Sequence, residues 1–263
     1  MKQLKSILLI LFVFMMFSCT NKSTKVLEKT WWKETVFYEI YMPSYKDSNG
    51  DGYSDFKGVT SKLDYIKNLG VKGIWLTPFL KSPKVDNGYD VSSYYEVDST
   101  YGTLEDFKLF IKESHERGIK VIMDLVVNHT STESKWFQEA KKSKDNPYRD
   151  YYIWKDKPNN WESFFGGSAW ELDSITNQYY YHKFDVKMAD LNWQNPKVVE
   201  EIQDVLKFWL NIGVDGFRLD VINFLTTNGI TLDNQTNEKG EQEHLHDINQ
   251  KGVKDAMKII RET

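Results

Sequence analysis

The sequence predicts an α/β protein: about the first half of a (β/α)8 TIM barrel, with a lobe inserted after the third strand. Two observations support this fold class. A helix, a glycine and an apolar strand follow one another in that order three times. Polar and acidic residues come directly after the predicted strands, at the end where a barrel of parallel strands places its active site.

The predicted elements follow a regular order from residue 36. A first strand covers residues 36–41, before the repeated units begin. Two of the predicted helices have capping signals, since Thr103 precedes Asp106 by three residues and Asn195 precedes Pro196. The three units are a helix at 63–69 with a strand at 71–76, a helix from Thr103 with a strand at 119–127, and a helix from Pro196 with a strand at 214–219; Gly70, Gly118 and Gly213 end the helices.

Only four barrel strands are accounted for by residue 219 of this 263-residue chain. A complete barrel has eight strands, so the sequence predicts truncation before strand five, with residues 254–263 as the preceding helix. The alternative is an open doubly wound sheet, but no glycine-rich phosphate loop follows the first strand. The predicted organisation is a signal segment at 1–19, a tether at 20–30, barrel at 31–128, an inserted domain at 129–191 and barrel again at 192–263.

The N-terminus has the pattern of an export signal. Lys2 and Lys5 precede an apolar run at residues 7–17, which is short for a membrane span, and Cys19 follows it. This resembles a bacterial lipoprotein signal and predicts lipidation at Cys19 and anchoring to a bacterial membrane; an ordinary signal peptide and an uncleaved anchor are the alternatives. The net charge of −4 does not indicate a nucleic-acid partner, and no protein partner is implied.

Residues 47–55 predict a cation loop. Oxygen-bearing side chains alternate along it and Gly52 is at the sixth place, as in a calcium loop, although Gly58 stands where an EF-hand has Glu. We expect structural Ca²⁺ or Mg²⁺, with a solvated turn as the alternative. The residues at these alternate positions are Asp47, Asn49, Asp51, Tyr53 and Asp55.

The ends of three predicted strands carry the candidate active site. Asp86 and Tyr89 follow the second strand, His129 follows the third, and Arg218 and Asp220 end the fourth. Side chains alternate along a strand, so Arg218 and Asp220 project from the same face, and the guanidinium favours the ionised carboxylate. A structural Arg–Asp pair is the alternative interpretation.

Several motifs resemble one known family. Residues 124–129 (DLVVNH) and 216–220 (GFRLD) resemble the first two signature regions of the α-amylase family of glycoside hydrolases, glycoside hydrolase family 13. Residues 188–193 (MADLNW) resemble a motif near the end of its inserted domain. Residues 164–170 (FFGGSAW) and 86–90 (DNGYD) resemble its oligo-1,6-glucosidase branch, which includes trehalose-6-phosphate hydrolases, α-glucosidases and sucrose isomerases.

The resemblance implies a role for each matching residue. Asp220 matches the nucleophile that forms a covalent glycosyl-enzyme, and Arg218 matches the residue that orients it. His129, Asp86 and Tyr89 match groups that hold the terminal glucose. Asp90 matches a structural position. Asp47, Asn49, Asp51 and Asp55, with the Tyr53 carbonyl, match the ligands of the metal site in this branch. Asn128 matches a calcium ligand of true α-amylases, a role not carried over to this branch.

A retaining glycosidase needs a second carboxyl group as acid and base. The family's acid/base Glu lies after strand five, and no residue here matches it. Glu262 lies on the preceding helix, and His246-Asp247 does not match the family's second His-Asp pair.

The predicted function is an exported retaining hydrolase of α-glucosidic bonds in oligosaccharides. In the branch that the sequence resembles, Val directly after the nucleophile accompanies a preference for α-1,6 bonds, so the resemblance implies that Val221 favours them. The alternatives are an endo-acting surface α-amylase and a non-catalytic sugar-binding or interaction relative. This truncated chain is expected to be an inactive fragment unless the complete protein supplies the acid.

Overall fold

A computed structural model describes residues 30–225, 228–229 and 231–263. The chain divides into two compact units, Met1–Thr35 and Val36–Thr263. In the first unit, the described residues form a 3₁₀ helix at Trp31–Glu34. The predicted signal segment with Cys19, and the tether up to residue 29, lie outside the described residues.

The second unit contains short strands between residues 37 and 219. They are β1 (Phe37–Ile40), β2 (Gly73–Leu76), β3 (Leu80–Lys81), β4 (Ser93–Val97), β5 (Lys120–Leu125), β6 (His129–Ser131), β7 (Trp154–Lys155), β8 (Trp170–Asp173), β9 (Gln178–Tyr181), β10 (Met188–Asp190) and β11 (Gly216–Leu219).

Four of these strands form the parallel sheet that the sequence predicts. Their order is β1-β2-β5-β11, so each new barrel strand is added beside the previous one. The register pairs Ile40 with Leu76, Leu76 with Met123, and Leu219 with Leu125. Because all four strands run in the same direction, their carboxyl ends meet at one edge of the sheet. The predicted class, a partial (β/α) barrel, is confirmed.

Helices lie between and after the strands, and those of the three predicted βα units end where the local signals predict. They are α1 (Phe56–Thr60), α2 (Leu63–Asn68), α3 (Leu104–Glu116), α4 (Lys135–Ala140), α5 (Pro196–Ile212) and α6 (Val253–Glu262). Thr103 and Asp106 form a reciprocal capping box at the start of α3. Gly213 ends α5 in the left-handed conformation, with φ of 117°.

An aromatic cluster packs the helices against one another beside the sheet. Phe56 of α1 lies 5.1 Å from Phe107 of α3, and Phe107 lies 5.4 Å from Trp209 of α5, measured between ring centroids. All three rings are fully buried. Edge-to-face pairs at such distances add to the free energy of burial, so the cluster helps to hold the helices behind the strands.

The interval between β5 and α5 lacks βα alternation, as predicted. Its strands form two small antiparallel sheets, β6 with β10 and β7-β9-β8. A second core of Trp161, Ala169, Trp170 and Tyr181 supports them. The boundaries 129–191 for an inserted domain stay a prediction.

Among the described ranges 30–225, 228–229 and 231–263, none of the helices has the length and hydrophobicity needed to cross a bilayer.

Candidate active site

Two adjacent strands bring three charged side chains together at the carboxyl edge of the sheet. Arg218 of β11 is in register with Asp124 of β5. Asp220 follows the end of β11, and its backbone N–H donates to the Leu125 carbonyl at 3.3 Å. The strand pairing therefore sets the relative positions of the guanidinium and both carboxylates.

Arg218 bridges the two carboxylates with one nitrogen. Its Nη1 lies 2.5 Å from Asp220 Oδ1 and 3.0 Å from Asp124 Oδ1. The other oxygen of Asp124 accepts from Trp75 Nε1 and from Tyr89 Oη, each at 3.2 Å. The guanidinium also lies 5.3 Å from the centroid of the Trp75 ring. Such a network fixes the direction of Arg218 and, through it, that of Asp220.

Burial and charge oppose each other at the two carboxylates. Burial raises the pKa of Asp124 to about 6, although hydrogen bonding to Arg218 acts in the opposite direction. Burial also raises the pKa of Asp220, and the nearby Arg218 charge again opposes it. Arg218 thus favours the ionised form of Asp220 against the effect of burial.

The residue after Asp220 has an unusual backbone conformation. Val221 has φ of 41° and ψ of 37°, in the left-handed region. A β-branched residue there is a genuine outlier. The Val221 backbone N–H also hydrogen-bonds to Asp220 and lowers the pKa of its carboxyl group. Strained backbone is commonly retained where it positions functional groups, and here it turns the chain directly beyond the candidate nucleophile.

A buried carboxylate supports the loop after β2 that carries Asp86 and Tyr89. Asp90 is fully buried and accepts from Ser82 Oγ at 2.8 Å, Val85 N at 2.9 Å and Asp86 N at 3.1 Å. Burial raises the pKa of Asp86, and the charges of Asp90 and Asp220 add to this effect. Asp86 therefore lies within electrostatic range of Asp220, and Tyr89 contacts Asp124 in the same network.

His129 starts β6 and is 99% buried, with one ring nitrogen left without a partner. Its Nδ1 lies 3.2 Å from Asn128 Nδ2, whereas Nε2 has no hydrogen-bond partner. Burial lowers the pKa of His129 to about 4, so the ring is neutral at ordinary pH. Asn128 itself donates to Asp190 at 2.8 Å. A buried polar atom without a partner is costly, and a ligand hydroxyl would satisfy Nε2.

In the loop at 47–55, aspartate side chains accept hydrogen bonds from the backbone N–H groups of the same loop. Asp47 accepts from Asn49 at 3.0 Å, Gly50 at 2.6 Å and Gly52 at 2.9 Å. Asp51 accepts from Tyr53 N at 2.8 Å and from Asn49 Nδ2 at 3.0 Å.

Asp55 is buried and is engaged differently from the other predicted ligands. It caps α1 by accepting from Gly58 N at 2.7 Å, and it accepts from Ser48 N at 2.9 Å. The oxygen donors suit Ca²⁺ in chemical type. In the part of the chain that the structure describes, no three His, Cys, Asp or Glu side chains form a potential metal cluster.

The structure brings Asp86, Tyr89, Arg218 and Asp220 to one edge of the sheet, and it adds residues that the sequence prediction of the site did not include. Asp124 and Trp75 complete the network around Arg218. Phe184 lies 5.6 Å from the His129 ring, between centroids. The sequence did contain a signal for Asp124, because it is the single acidic residue within the apolar run at 121–127. Acidic side chains are rarely buried without a partner, so a charged partner such as Arg218 could have been expected.

The fold and the site together define a partial (β/α) barrel protein with an arginine-paired carboxylate at the end of its fourth barrel strand. Residues 39–262 match the family described as "Alpha amylase, catalytic domain". The chain belongs to this α-amylase family.

Known relatives support the same assignment. The chain is 57% identical over 205 residues to an oligo-1,6-glucosidase of Parageobacillus thermoglucosidasius, covering 76% of this chain and 36% of the relative. It is 54% identical over 208 residues to a trehalose-6-phosphate hydrolase of Bacillus subtilis (strain 168), covering 77% and 37%. The chain thus spans well under half the length of these relatives.

Solved structures agree with the fold. The crystal structure of Bacillus licheniformis trehalose-6-phosphate hydrolase (TreA) superposes with a TM-score of 0.84 at 47% identity, covering 88% of this chain and 42% of that one. An α-glucosyl transfer enzyme, XgtA, gives a TM-score of 0.85 at 41% identity, covering 88% and 47%.

Proposed function

We propose that this chain carries the nucleophile side of a retaining α-glucosidase that releases glucose from short α-glucans, with a preference for α-1,6 bonds. The observation that carries the proposal is the bridge from Arg218 to Asp220 and Asp124 at the carboxyl edge of a parallel barrel sheet. Relatives named oligo-1,6-glucosidase support the substrate class.

The proposed reaction proceeds by double displacement. An oxygen of Asp220 attacks the anomeric carbon, the glycosidic C–O bond breaks, and the leaving oxygen takes a proton from a general acid. Water then attacks the glycosyl ester and gives its proton to the same group, now acting as base, which frees Asp220. While this happens, His129 Nε2 and Asp86 hold the glucose through its hydroxyl groups, and the Tyr89 ring stacks on the sugar.

The general acid is the missing part of this proposal. Glu262 is the last residue of α6, its side chain is 66% exposed, and it lies 3.8 Å from Lys258. We do not assign it the role, and we expect the acid after a fifth strand in the complete reading frame. Sequencing through and beyond the codon for Thr263 tests this expectation: a strand followed by Glu supports the enzyme, and a stop codon favours a non-catalytic relative.

Export and lipid attachment at Cys19 are part of the proposal, as is a structural Ca²⁺ or Mg²⁺ in the loop at 47–55. The pattern of residues 2–19 supports lipidation. Metabolic labelling with a radioactive fatty acid tests it: wild-type protein is labelled and Cys19→Ser is not. Labelling of the variant would contradict the assignment.

The direct test of function is an assay of the protein expressed from the complete reading frame, with isomaltose, maltose, trehalose 6-phosphate and starch as substrates. The proposal predicts glucose release from isomaltose at the highest kcat/KM. A preference for trehalose 6-phosphate would instead support the activity for which the Bacillus subtilis relative is named. Internal cleavage of starch would support an endo-acting amylase, and no hydrolysis of any of these would contradict the proposal.

A further inference from the structure

A fully buried ion pair joins the loop after β9 to the segment that follows β11. Lys183 Nζ lies 2.6 Å from Asp247 Oδ2, and both side chains are 0% exposed. Lys183 Nζ also donates to the Glu162 carbonyl at 2.9 Å, and Asn234 Nδ2 donates to Asp247 Oδ1 at 3.1 Å. A buried pair is costly to desolvate and breaking it is more costly still, so the two segments are held in a defined arrangement.

His244 is attached to this pair by one edge of its ring. Its Nδ1 lies 3.1 Å from Asp247 Oδ2 and 3.4 Å from Lys183 Nζ. The His244 side chain is nevertheless 28% exposed, whereas Asp247 is not exposed at all. The buried pair therefore fixes the orientation of an imidazole that still reaches the surface, and Nε2 is its remaining polar atom.

The His244 ring continues an aromatic wall that begins at the candidate active site. Phe184 lies 5.6 Å from His129 and 6.1 Å from Phe164, between ring centroids. Phe164 in turn stacks on His244 at 5.2 Å, with 25° between the ring planes. Phe164 is 49% exposed. The wall thus runs from the buried His129 outward to the surface, where it ends in the apolar ring of Phe164 and the polar ring of His244.

We propose that His244, oriented by the Lys183–Asp247 pair, recognises the leaving-group sugar of the substrate. This inference rests on the proposed glycosidase function and extends it to the side of the scissile bond away from the glucose pocket. The apolar face of Phe164 suits the C–H face of a sugar, and an imidazole nitrogen exchanges hydrogen bonds with hydroxyl groups. The exposed part of His244 lies beside the exposed ring of Phe164, and this pairing of a polar and an apolar surface is what points to a sugar.

The test compares substrates with and without a leaving-group sugar, in the protein expressed from the complete reading frame. Isomaltose has such a sugar, and α-glucosyl fluoride has only a fluoride ion to expel. We expect His244→Ala to lower kcat/KM for isomaltose about three- to tenfold, mainly through KM, because one hydrogen bond is lost. The loss on α-glucosyl fluoride is expected to stay below about twofold, since no contact is removed there. Leu245→Ala is the matched control, since Leu245 is exposed in the same turn.

Two further variants keep the inference testable if His244→Ala does not fold. His244→Gln preserves hydrogen bonding and is expected to recover most of the affinity for isomaltose. Lys183→Met combined with Asp247→Leu removes the buried pair without leaving a charge and is expected to raise the KM for isomaltose selectively. Equal losses on both substrates, or no loss on isomaltose, would overturn the inference. A wild-type protein inactive on both would contradict the proposed function instead.

Discussion

Arg218 donates from Nη1 to Asp220 Oδ1 at 2.5 Å, two residues further along the chain. The same nitrogen reaches Asp124 Oδ1 on the neighbouring strand at 3.0 Å. One cation thus serves two carboxylates whose burial opposes ionisation. The relationship favours an ionised Asp220 at a partly buried strand end, as the proposed nucleophile requires.

Replacing Arg218 is expected to impair turnover and to shift its pH dependence. Arg218→Lys loses the planar guanidinium that spans both carboxylates, so kcat/KM should fall roughly 10²-fold. A weaker or displaced cation leaves the pKa of Asp220 still higher. Because the proposed nucleophile acts in its ionised form, a higher pH is then needed for activity. The acidic limb of the kcat/KM profile against pH should therefore move to higher pH.

The matched control for this variant is Arg117→Lys. Arg117 also bridges two carboxylates, Asp64 and Glu113, but on the surface. Its replacement should change kcat/KM less than about twofold, because surface pairs contribute little. An unchanged acidic limb in Arg218→Lys would contradict the role given to Arg218.

The left-handed conformation of Val221 predicts an inverted order of stability among small residues. Alanine in that conformation is disfavoured by about 1 kcal/mol and glycine is not, so Val221→Gly should be more stable than Val221→Ala. Val85 is the control, since it is exposed and is not among the residues with positive φ. At that site Ala should be more stable than Gly by about 0.4–1 kcal/mol. Urea denaturation of the four variants checks both orders, and Val221→Ala proving the more stable would refute the conformation.

Burial of His129 predicts a loss of stability in acid. The pKa falls from 6.5 to about 4 on folding, so below pH 6.5 the unfolded state takes up a proton that the folded state does not. The stability that His129 contributes is therefore fully present above pH 6.5 and is lost as pH falls towards 4. The neutral, buried His129 contributes about 3 kcal/mol to the difference in unfolding free energy between high and low pH. In urea denaturation, the drop in unfolding free energy between pH 7 and 4.5 should be smaller in His129→Gln than in wild type; equal drops would contradict the burial.

The proposed cation at residues 47–55 predicts stabilisation by Ca²⁺. At a hundredfold excess over Kd, binding to the folded state should add ~2.7 kcal/mol to the unfolding free energy. Asp51→Ala is a suitable variant, because Asp51 accepts fewer backbone bonds than Asp47. Calorimetry should show that Ca²⁺ raises the Tm of wild type but not of the variant. No effect of Ca²⁺ or Mg²⁺, with or without a chelator, on wild type would leave a self-supporting turn as the better explanation.

Periodicity and capping signals predicted the sheet and its helices, because each βα unit is encoded locally. The strand-end rule placed Asp86, Tyr89 and Asp220 at one edge of the sheet, since parallel strands bring their ends together. Asp124 was missed because it lies inside an apolar strand rather than after one. The conformation of Val221 is set by the turn around it, which sequence does not reveal.

The Lys183–Asp247 pair could not be predicted either, since 64 residues separate its members. The loop at 231–250 carries no periodic pattern that would place it against the strands before α5. Contacts of this kind depend on how the loops between helices and strands pack against one another. They can be seen only in the structure.

The most direct test of the account is to remove the Asp220 carboxylate and replace it with an external nucleophile. In the protein expressed from the complete reading frame, Asp220→Asn and Asp220→Gly should lower kcat on α-glucosyl fluoride at least about 10³-fold. Sodium azide should restore turnover only in Asp220→Gly, where space for the anion exists, and should yield the β-glucosyl azide by inversion. Near-normal hydrolysis by Asp220→Asn would contradict the assignment of Asp220 as nucleophile.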